Sequence, residues 1–338
     1  MIKVAILGAT AYGSRELIRW LLRHPAGVSF SYLGSRQEGM KVSDVFPVFE
    51  GVLDVPYQPH DPDAVPDDTD VVFLTLPHTV PMECVPRLLE RGFRVIDFSG
   101  DYRLTDRAVY EKHYDHKHTD WGNIEKAVYG MPEFFAEQIA KAELVANPGC
   151  YPTSAILAVA PLAKHGLIDP RSIIIDAKSG VSGAGNKAKP DYHFPHCNES
   201  VHAYKVGAHR HEPEMAQVLS GIAGEKADIL FVPHLIPMDR GILSTAYASL
   251  TKEISEEEMR SLVTEFYRSA PFVRVKQGQV MPRTKDTIDT NFCDLGVRVV
   301  GRRAVIVSCI DNLAKGAATQ AIENMNVMFG FKQTDGLL

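Results

Sequence analysis

The sequence predicts an α/β chain, a doubly wound parallel sheet followed by a second α+β domain whose sheet is mixed or antiparallel. Three observations lead there. Short apolar runs alternate with helical segments in the first half, longer strands appear after about residue 149, and a final helical stretch carries an apolar stripe that needs a surface to cover. Residues 2–7 (IKVAIL) read as a buried strand and 16–22 as a helix after a glycine-bearing turn, with further short strands at 28–33, 71–76 and 95–97. Strands separated by helices bind ligands beyond their carboxyl ends, the Rossmann arrangement. In the second half, strands are expected at 172–178, 228–236, 242–250, 293–300 and 303–310, and helices near 151–164, 213–222 and 255–268. The last helix, about 316–329, presents Ala317, Ala321, Met325 and Met328 along one side. The expected division is 1–148 for the first domain, 149–313 for the second, and 314–338 for a C-terminal helix returning to the first.

Composition narrows the classes. The chain has 338 residues, 45% hydrophobic and 23% charged, with a formal net charge of -6, enough for two domains with cores of their own. Basic residues are scattered among acids, which argues against nucleic acid. No apolar run approaches the ~20 residues of a membrane span, and the chain opens directly on a strand, so the expected setting is cytoplasmic, with no membrane partner. Five cysteines, Cys84, Cys150, Cys197, Cys293 and Cys309, make an odd count without a CxxC pair, which indicates neither a disulfide framework nor a zinc knuckle.

The stretch ANPGCYPTSAILAVAPL, residues 146–162, holds one of these cysteines between two prolines and ahead of an apolar run at helical spacing. Pro148 and Gly149 turn the chain, and Pro152 suits a first helical position. Cys150 would then stand at a helix N-terminus, where open N–H groups and the helix dipole favour a thiolate nucleophile. Simple packing of a small apolar side chain is the other reading.

The first strand runs into GATAYGSREL, residues 8–17. Gly8 and Gly13 are present, but Ala11 stands where a G-x-x-G loop carries its second glycine. The loop reads either as a plain strand-turn-helix connection or as a dinucleotide site. In the second case alanine is tolerable at negative φ, and Thr10, Tyr12 and Ser14 offer hydroxyls beside a helix N-terminus suited to phosphate. The second strand ends in LGSR. Ser35 and Arg36, where an NAD site would place an acid, suit a 2′-phosphate, so the expected cofactor is NADP(H).

A thiolate enzyme that moves a hydride needs a proton donor, and KVGAHRHEPEM, residues 205–215, offers two histidines. In an extended segment they would point to opposite sides, leaving one toward the cysteine. His209 is the choice, with His211 oriented by neighbouring acids and Arg210 available to a carboxylate or phosphate. A solvated helix start is the alternative. HYDHKH, residues 113–118, reads as an exposed polar loop, since its spacing fits no compact ligand set, and no metal site is expected.

With these residues in place the chain resembles the N-acetyl-gamma-glutamyl-phosphate reductases of the semialdehyde dehydrogenase group. The likeness covers nearly the full length and rests on LGAT (7–10), LPH (76–78), DFSGDYRL (97–104), GMPE (130–133), NPGCYPT (147–153), DAKSGVSGAG (176–185), HRHEPE (209–214) and DNLAKGAATQA (311–321). Members usually read GATGYTG in the first loop, so Ala11 and Ser14 depart at two glycine positions. The resemblance implies a small acyl phosphate substrate, attacked by Cys150 to give a thioester that NADPH reduces, with an imidazolium at His209 protonating the thiohemiacetal oxygen. It implies Arg103 and Arg210 as readers of phosphate and carboxylate, with His211 and Ser179 also at the substrate. SGVSGAG, with Gly180 and Gly183, would let the backbone approach the nicotinamide, and Asn312 would bond its carboxamide. A homodimer or homotetramer is expected. The nearest alternative is a sister reductase acting on carrier-linked aminoadipyl or glutamyl phosphate, or on aspartyl phosphate.

Overall fold

The structure, a computed structural model, describes residues 1–186 and 188–338, and the chain divides into two compact units, Met1–Pro148 with Ala317–Leu338, and Gly149–Gly316. In the first unit, β1 (Ile2–Leu7), α1 (Tyr12–Leu21), β2 (Val28–Gly34), α2 (Val42–Val45), β3 (Val71–Leu74), α3 (Pro81–Glu90), β4 (Arg94–Asp97), α4 (Arg107–Tyr114), β5 (Ala127–Tyr129), α5 (Pro132–Ile139) and β6 (Leu144–Ala146) follow in order. Their strands form one six-stranded parallel sheet in the order β2-β1-β3-β4-β6-β5. The order reverses between β1 and β3, and a doubly wound sheet opens a ligand crevice at such a switch point. β3 is buried along its whole length, as a strand covered on both faces must be.

The second unit contains α6 (Cys150–Lys164), β7 (Ile173–Ser179), α7 (Phe194–Cys197), β8 (His202–Ala203), α8 (His211–Ala223), β9 (Ile229–Leu235), β10 (Ile242–Ser249), α9 (Glu256–Phe266), β11 (Val273–Val275), β12 (Cys293–Val300) and β13 (Arg303–Ile310). Its sheet, in the order β11-β12-β13-β10-β7-β9-β8, is mixed: β11 with β12 and β7 with β9 are parallel, and the other pairs antiparallel. α6 packs on β10 and β13 and on α8, and α9 on β11 and β12. Tyr151 to Ala163 of α6 are all buried, so this helix is covered on every side and is held as a core element. The sheet's other face is less covered, since β7 and β10 alternate buried and half-buried residues.

The last helix, α10 (Thr319–Met328), follows a π-helical stretch at Ala314–Ala318 and belongs to the first unit. It buries amides as well as apolar groups. Gln320 Nε2 and Asn324 Nδ2 donate to the Gly130 carbonyl at 2.9 Å each, Asn324 Nδ2 also reaches Asn147 Oδ1 at 3.1 Å, and Asn147 Nδ2 donates to the Ala317 carbonyl at 3.0 Å. The tail beyond it is tied back through Asn326, which meets His24 Nε2 at 2.9 Å and donates to the Asp335 carbonyl.

Element boundaries differ from the sequence reading in instructive ways. α1 starts at Tyr12, four residues before the expected 16, because the turn is completed at Gly8 and the chain is already helical through Gly13. β5, β6, β8 and β11 have three residues or fewer, too few to show a period of two, and were not expected.

β4 ends on Asp97, which is fully buried and accepts the N–H and hydroxyl of Ser99, while Asp101 accepts the Thr79 N–H and the Tyr110 hydroxyl. Burial, then the neighbouring Asp101 charge, raises the Asp97 carboxyl well above its ordinary range, against the pull of Ser99 and Arg103. The folded protein therefore holds this proton more tightly than the unfolded chain. Its contribution to stability is complete at acid pH and is lost as pH rises through the raised value. Asp97→Asn should accordingly flatten the decline in Tm between about pH 4 and about pH 8. Melting curves across that range decide it, and parallel declines in variant and wild type would show that another group is responsible.

Candidate active site

In the first unit, Gly8 has φ +91°, and a Cβ there would lie 2.6 Å from the Thr75 carbonyl oxygen, so only glycine lets β1 turn against the end of β3. Ala11 has φ -78°, a conformation alanine adopts without strain, which explains why the missing glycine is tolerated. A Cβ on Gly13 would meet nothing nearer than Phe98 at 3.8 Å, so no described residue requires glycine there. Ser14 is different from expectation. It is fully buried, its hydroxyl donates to the Gly8 carbonyl at 2.8 Å and meets Thr75 Oγ1 at 2.7 Å, and it braces the loop from inside instead of facing a phosphate. Tyr12 is exposed, and Thr10 half-buried with its hydroxyl 3.4 Å from that of the buried Ser35. Arg36, next to Ser35, is exposed. No described side chain caps α1 and its first turn carries no acid, so its N–H donors fit the phosphates of a dinucleotide.

Cys150 is the first residue of α6, with Gly149 as N-cap; Pro152 is two residues further in than expected, still within the first turn where no N–H is required. No described side chain of α6 caps this end. The amide N–H of Gly149 donates 2.9 Å to Oε1 of Glu214, and a Cβ on Gly316 would lie 2.8 Å from the Cβ of Cys150. Tyr151 and Tyr204 share a hydroxyl contact of 3.3 Å and both feel the charge of Cys150. Burial raises both phenols, Tyr204 to about 12, so each keeps its proton at neutral pH.

The two histidines do not point apart. Arg210 between them is helical (φ -60°, ψ -16°), so the segment is curling into α8, and the rings of His209 and His211 lie 4.8 Å apart, at 5.8 and 6.0 Å from the ring of Tyr151. Both are buried. Burial first, then the charges of Arg210 and Lys205, push His209 down to about 3, and its Nδ1 accepts the His211 N–H at 3.1 Å. The expected imidazolium is therefore a neutral ring with its proton on Nε2, the tautomer this hydrogen bond selects.

The remaining expected residues are placed as follows. Ser179 is buried and donates to the Gly180 carbonyl at 3.0 Å. A Cβ on Gly180 would lie 2.4 Å from the Asp239 carbonyl oxygen and one on Gly183 2.9 Å from Ser179 Oγ, so the small residues of this loop answer to the chain's own packing. Asn312 accepts the Gly241 N–H at 2.7 Å and donates to Ser182 at 3.0 Å, pinning the same loop. In the first unit, Arg103 is buried and donates from Nε to the Asn147 carbonyl and from Nη2 to that of Phe98. Those donors hold backbone just ahead of the cysteine segment. Arg210, half-buried, is the N-cap of α8. His118 contradicts the reading of HYDHKH as an exposed loop: it is buried, bonded to the Asp101 carbonyl at 2.7 Å and ringed by Tyr102, Tyr110 and Trp121, while Tyr114 and His113 end α4. Glu214 and Gly316 were not singled out from sequence. A glycine inside an otherwise helical run was the available signal for Gly316.

Comparison with known proteins matches residues 3–142 to the semialdehyde dehydrogenase NAD binding domain and 150–312 to the semialdehyde dehydrogenase dimerisation domain. N-acetyl-gamma-glutamyl-phosphate reductases of Syntrophobacter fumaroxidans and Geobacter metallireducens are 46% and 48% identical over 100% of this chain and 98% of their own. The chain belongs to the N-acetyl-gamma-glutamyl-phosphate reductase family. Aspartate semialdehyde dehydrogenase II of Vibrio cholerae, solved with ASA, shares the fold at TM-score 0.75 and 17% identity over 98% of each chain, and the Candida albicans aspartate semialdehyde dehydrogenase, solved with NADP, at TM-score 0.74 and 17% identity over 97% and 98%. The member chain is thus an oxidoreductase with an NAD binding and a dimerisation domain, and among the described residues no helix is long and apolar enough to cross a membrane.

The contact of Gly316 with Cys150 can be tested directly. Gly316→Ala puts a methyl group 2.8 Å from Cys150 Cβ, closer than two carbons pack, within the π-helical stretch Ala314–Ala318, so the cysteine or the helix must shift. Turnover should fall roughly 100-fold, the effect of displacing a reacting group by about 1 Å, while NADPH affinity stays the same. Steady-state kinetics with a cofactor titration decide this, and a wild-type kcat would mean that the methyl is accommodated without moving the thiol.

Proposed function

We propose that this chain carries out NADPH-dependent reductive dephosphorylation of N-acetyl-L-glutamyl 5-phosphate to N-acetyl-L-glutamate 5-semialdehyde, in arginine biosynthesis, through a thioester on Cys150. The observation that carries the reading is the placement of Cys150 as the first residue of α6, at a helix end that no side chain of α6 caps, in a chain near half identical to reductases of that name along its whole length. The open N–H groups and dipole favour the thiolate. It attacks the acyl phosphate carbon, the carbonyl oxygen becomes an oxyanion, and the carbon–sulfur bond is kept as phosphate leaves with the electrons of the bond it breaks. Bound NADPH supplies a hydride to the thioester carbon. The oxyanion so formed collapses to the aldehyde and returns the sulfur as thiolate, with no proton required at the oxygen. A neutral His209 suits this sequence, because its Nε2–H stabilises each oxyanion by hydrogen bonding, as a preorganised donor in a dry site does. His211, against the same tyrosine ring, and Arg210 at the start of α8 are the groups we assign to the substrate's phosphate and carboxylate, with Ser179 lining that side. Arg103, whose Nε and Nη2 hold the Asn147 and Phe98 carbonyls, is assigned with Arg210 to the substrate's phosphate and carboxylate.

Gly8, Thr10, Ala11, Tyr12 and Gly13 with the start of α1 are assigned to the pyrophosphate, and Ser35 and Arg36 to the 2′-phosphate. Gly180, Gly183 and Asn312 shape the loop assigned to the nicotinamide. A cytoplasmic homodimer or homotetramer fits the dimerisation domain, with the less covered face of the second sheet, including Ile174, Leu243 and Tyr247, as the surface for a second copy.

Phosphate-dependent reduction of NADP+ by N-acetyl-glutamate semialdehyde should be rapid, aspartate semialdehyde should be a poor substrate, and Cys150→Ala should be inactive while still binding NADPH. Preference for aspartate semialdehyde would shift the assignment to the sister reductases. Turnover near wild type in Cys150→Ala would rule out the thioester.

Cofactor choice has its own test. Arg36→Ala removes a charge-assisted contact of about 1.5 to 3 kcal/mol, so NADPH should lose roughly 10- to 150-fold in affinity while NADH changes little. Equal weakening of both, measured by fluorescence titration, would show that Arg36 does not read the 2′-phosphate.

A further inference from the structure

The carboxylate of Glu214 stands apart from the residues assigned above. It is 1% exposed, sits in the first turn of α8, and its Oε1 accepts the N–H of Gly149, the residue immediately before Cys150. A buried carboxylate on a backbone N–H is a strong, directional contact, about twice a neutral hydrogen bond. The other groups of that peptide are also engaged: the Gly149 carbonyl takes the N–H of Thr153 at 2.9 Å and its hydroxyl at 3.0 Å. Gly316 packs so close to the cysteine that a Cβ on it would lie 2.8 Å from the Cys150 Cβ and 3.3 Å from its Cα. His209 lies two residues before α8, and His211 is its first residue. One carboxylate thus joins the peptide that carries the nucleophile to the helix that carries the histidines.

We infer that Glu214 is a positioning residue for the reduction: by holding the Gly149 amide it sets Cys150 against the imidazole that receives the developing oxyanion. The inference rests on the reading of Cys150 as nucleophile. A clamp of this kind acts on the chemical step and leaves cofactor binding alone, because the hydrogen bond from the Gly149 N–H to Glu214 lies within the second unit, next to the nucleophile. It also needs an acceptor more than a charge, so glutamine, whose amide oxygen can take the same N–H, should replace it and alanine should not.

The test compares wild type, Glu214→Ala, Glu214→Gln and Cys150→Ala, with rates expressed per Cys150 thiol titrated by iodoacetamide, so that unfolded protein does not count. Glu214→Ala should lose roughly 10- to 100-fold in kcat, the range for a misplaced reacting group, with KM and NADPH affinity within about threefold of wild type. Glu214→Gln should recover most of that kcat. The positioning role is overturned if kcat per titrated thiol in Glu214→Ala stays within threefold of wild type, if the loss appears mainly in KM or NADPH binding, or if glutamine fails to restore what alanine removes. Cys150→Ala separates the two ideas: an active Cys150→Ala enzyme removes the nucleophile reading itself, whereas an inactive one beside a fully active Glu214→Ala removes only the clamp.

Discussion

The first peptide of α6 is the constraint on which the second unit depends. Gly149 and Cys150 lie at the start of a helix buried from Tyr151 to Ala163, and a helix buried on every side cannot leave the N–H groups of its first turn unanswered. Glu214 answers one of them from a neighbouring helix, and no described side chain of α6 caps the others. The chemistry assigned to Cys150 and the packing of the helix are therefore one requirement. A side chain of α6 that capped its own N-terminus would satisfy the backbone and weaken the thiolate at once.

Buried polar groups recur wherever the fold positions reacting atoms. In the first unit Gln320 and Asn324 donate to the Gly130 carbonyl, Asn147 accepts from Asn324 and donates to the Ala317 carbonyl, and Arg103 donates to the Asn147 and Phe98 carbonyls. The serine chain of Ser154, Ser244 and Ser308 does the equivalent beneath α6, joining it to β10 and β13 at 3.0 and 2.9 Å. Buried hydrogen-bonded networks of this kind specify one register, because a shift by one residue would strand their donors. The same low-dielectric setting decides the state of His209. Surrounded by Tyr151, Tyr204 and Phe231, with two cations nearby, the ring cannot keep a second proton, and its role becomes donation from Nε2.

Much of the architecture was legible in the chain because it is written in periodicity. In the first unit β1 and β3 are mostly or wholly apolar runs, and the long strands β12 and β13 were read at their observed bounds, 293–300 and 303–310. Strands of two or three residues were not, since their pairing depends on neighbours. The nucleotide loop and the cysteine at a helix start were likewise visible, being set by glycine, proline and a following apolar stripe within a dozen residues.

What the sequence by itself determined is local: two kinds of sheet, the turn at Gly8, the thiol at the head of a buried helix, and the family to which these motifs belong. Only the tertiary structure decided which partners those local pieces meet. It turned His209 and His211 to the same tyrosine because Arg210 is already helical. It bonded Ser14 and the Nε and Nη2 of Arg103 to backbone carbonyls, drew His118 into an aromatic cage, and brought Glu214 to the Gly149 amide and Gly316 close to Cys150, both from far along the chain. The physical reason is that protonation, accessibility and hydrogen-bond partners depend on what surrounds a group in space, and residues 65 or 166 positions away contribute nothing to a local pattern.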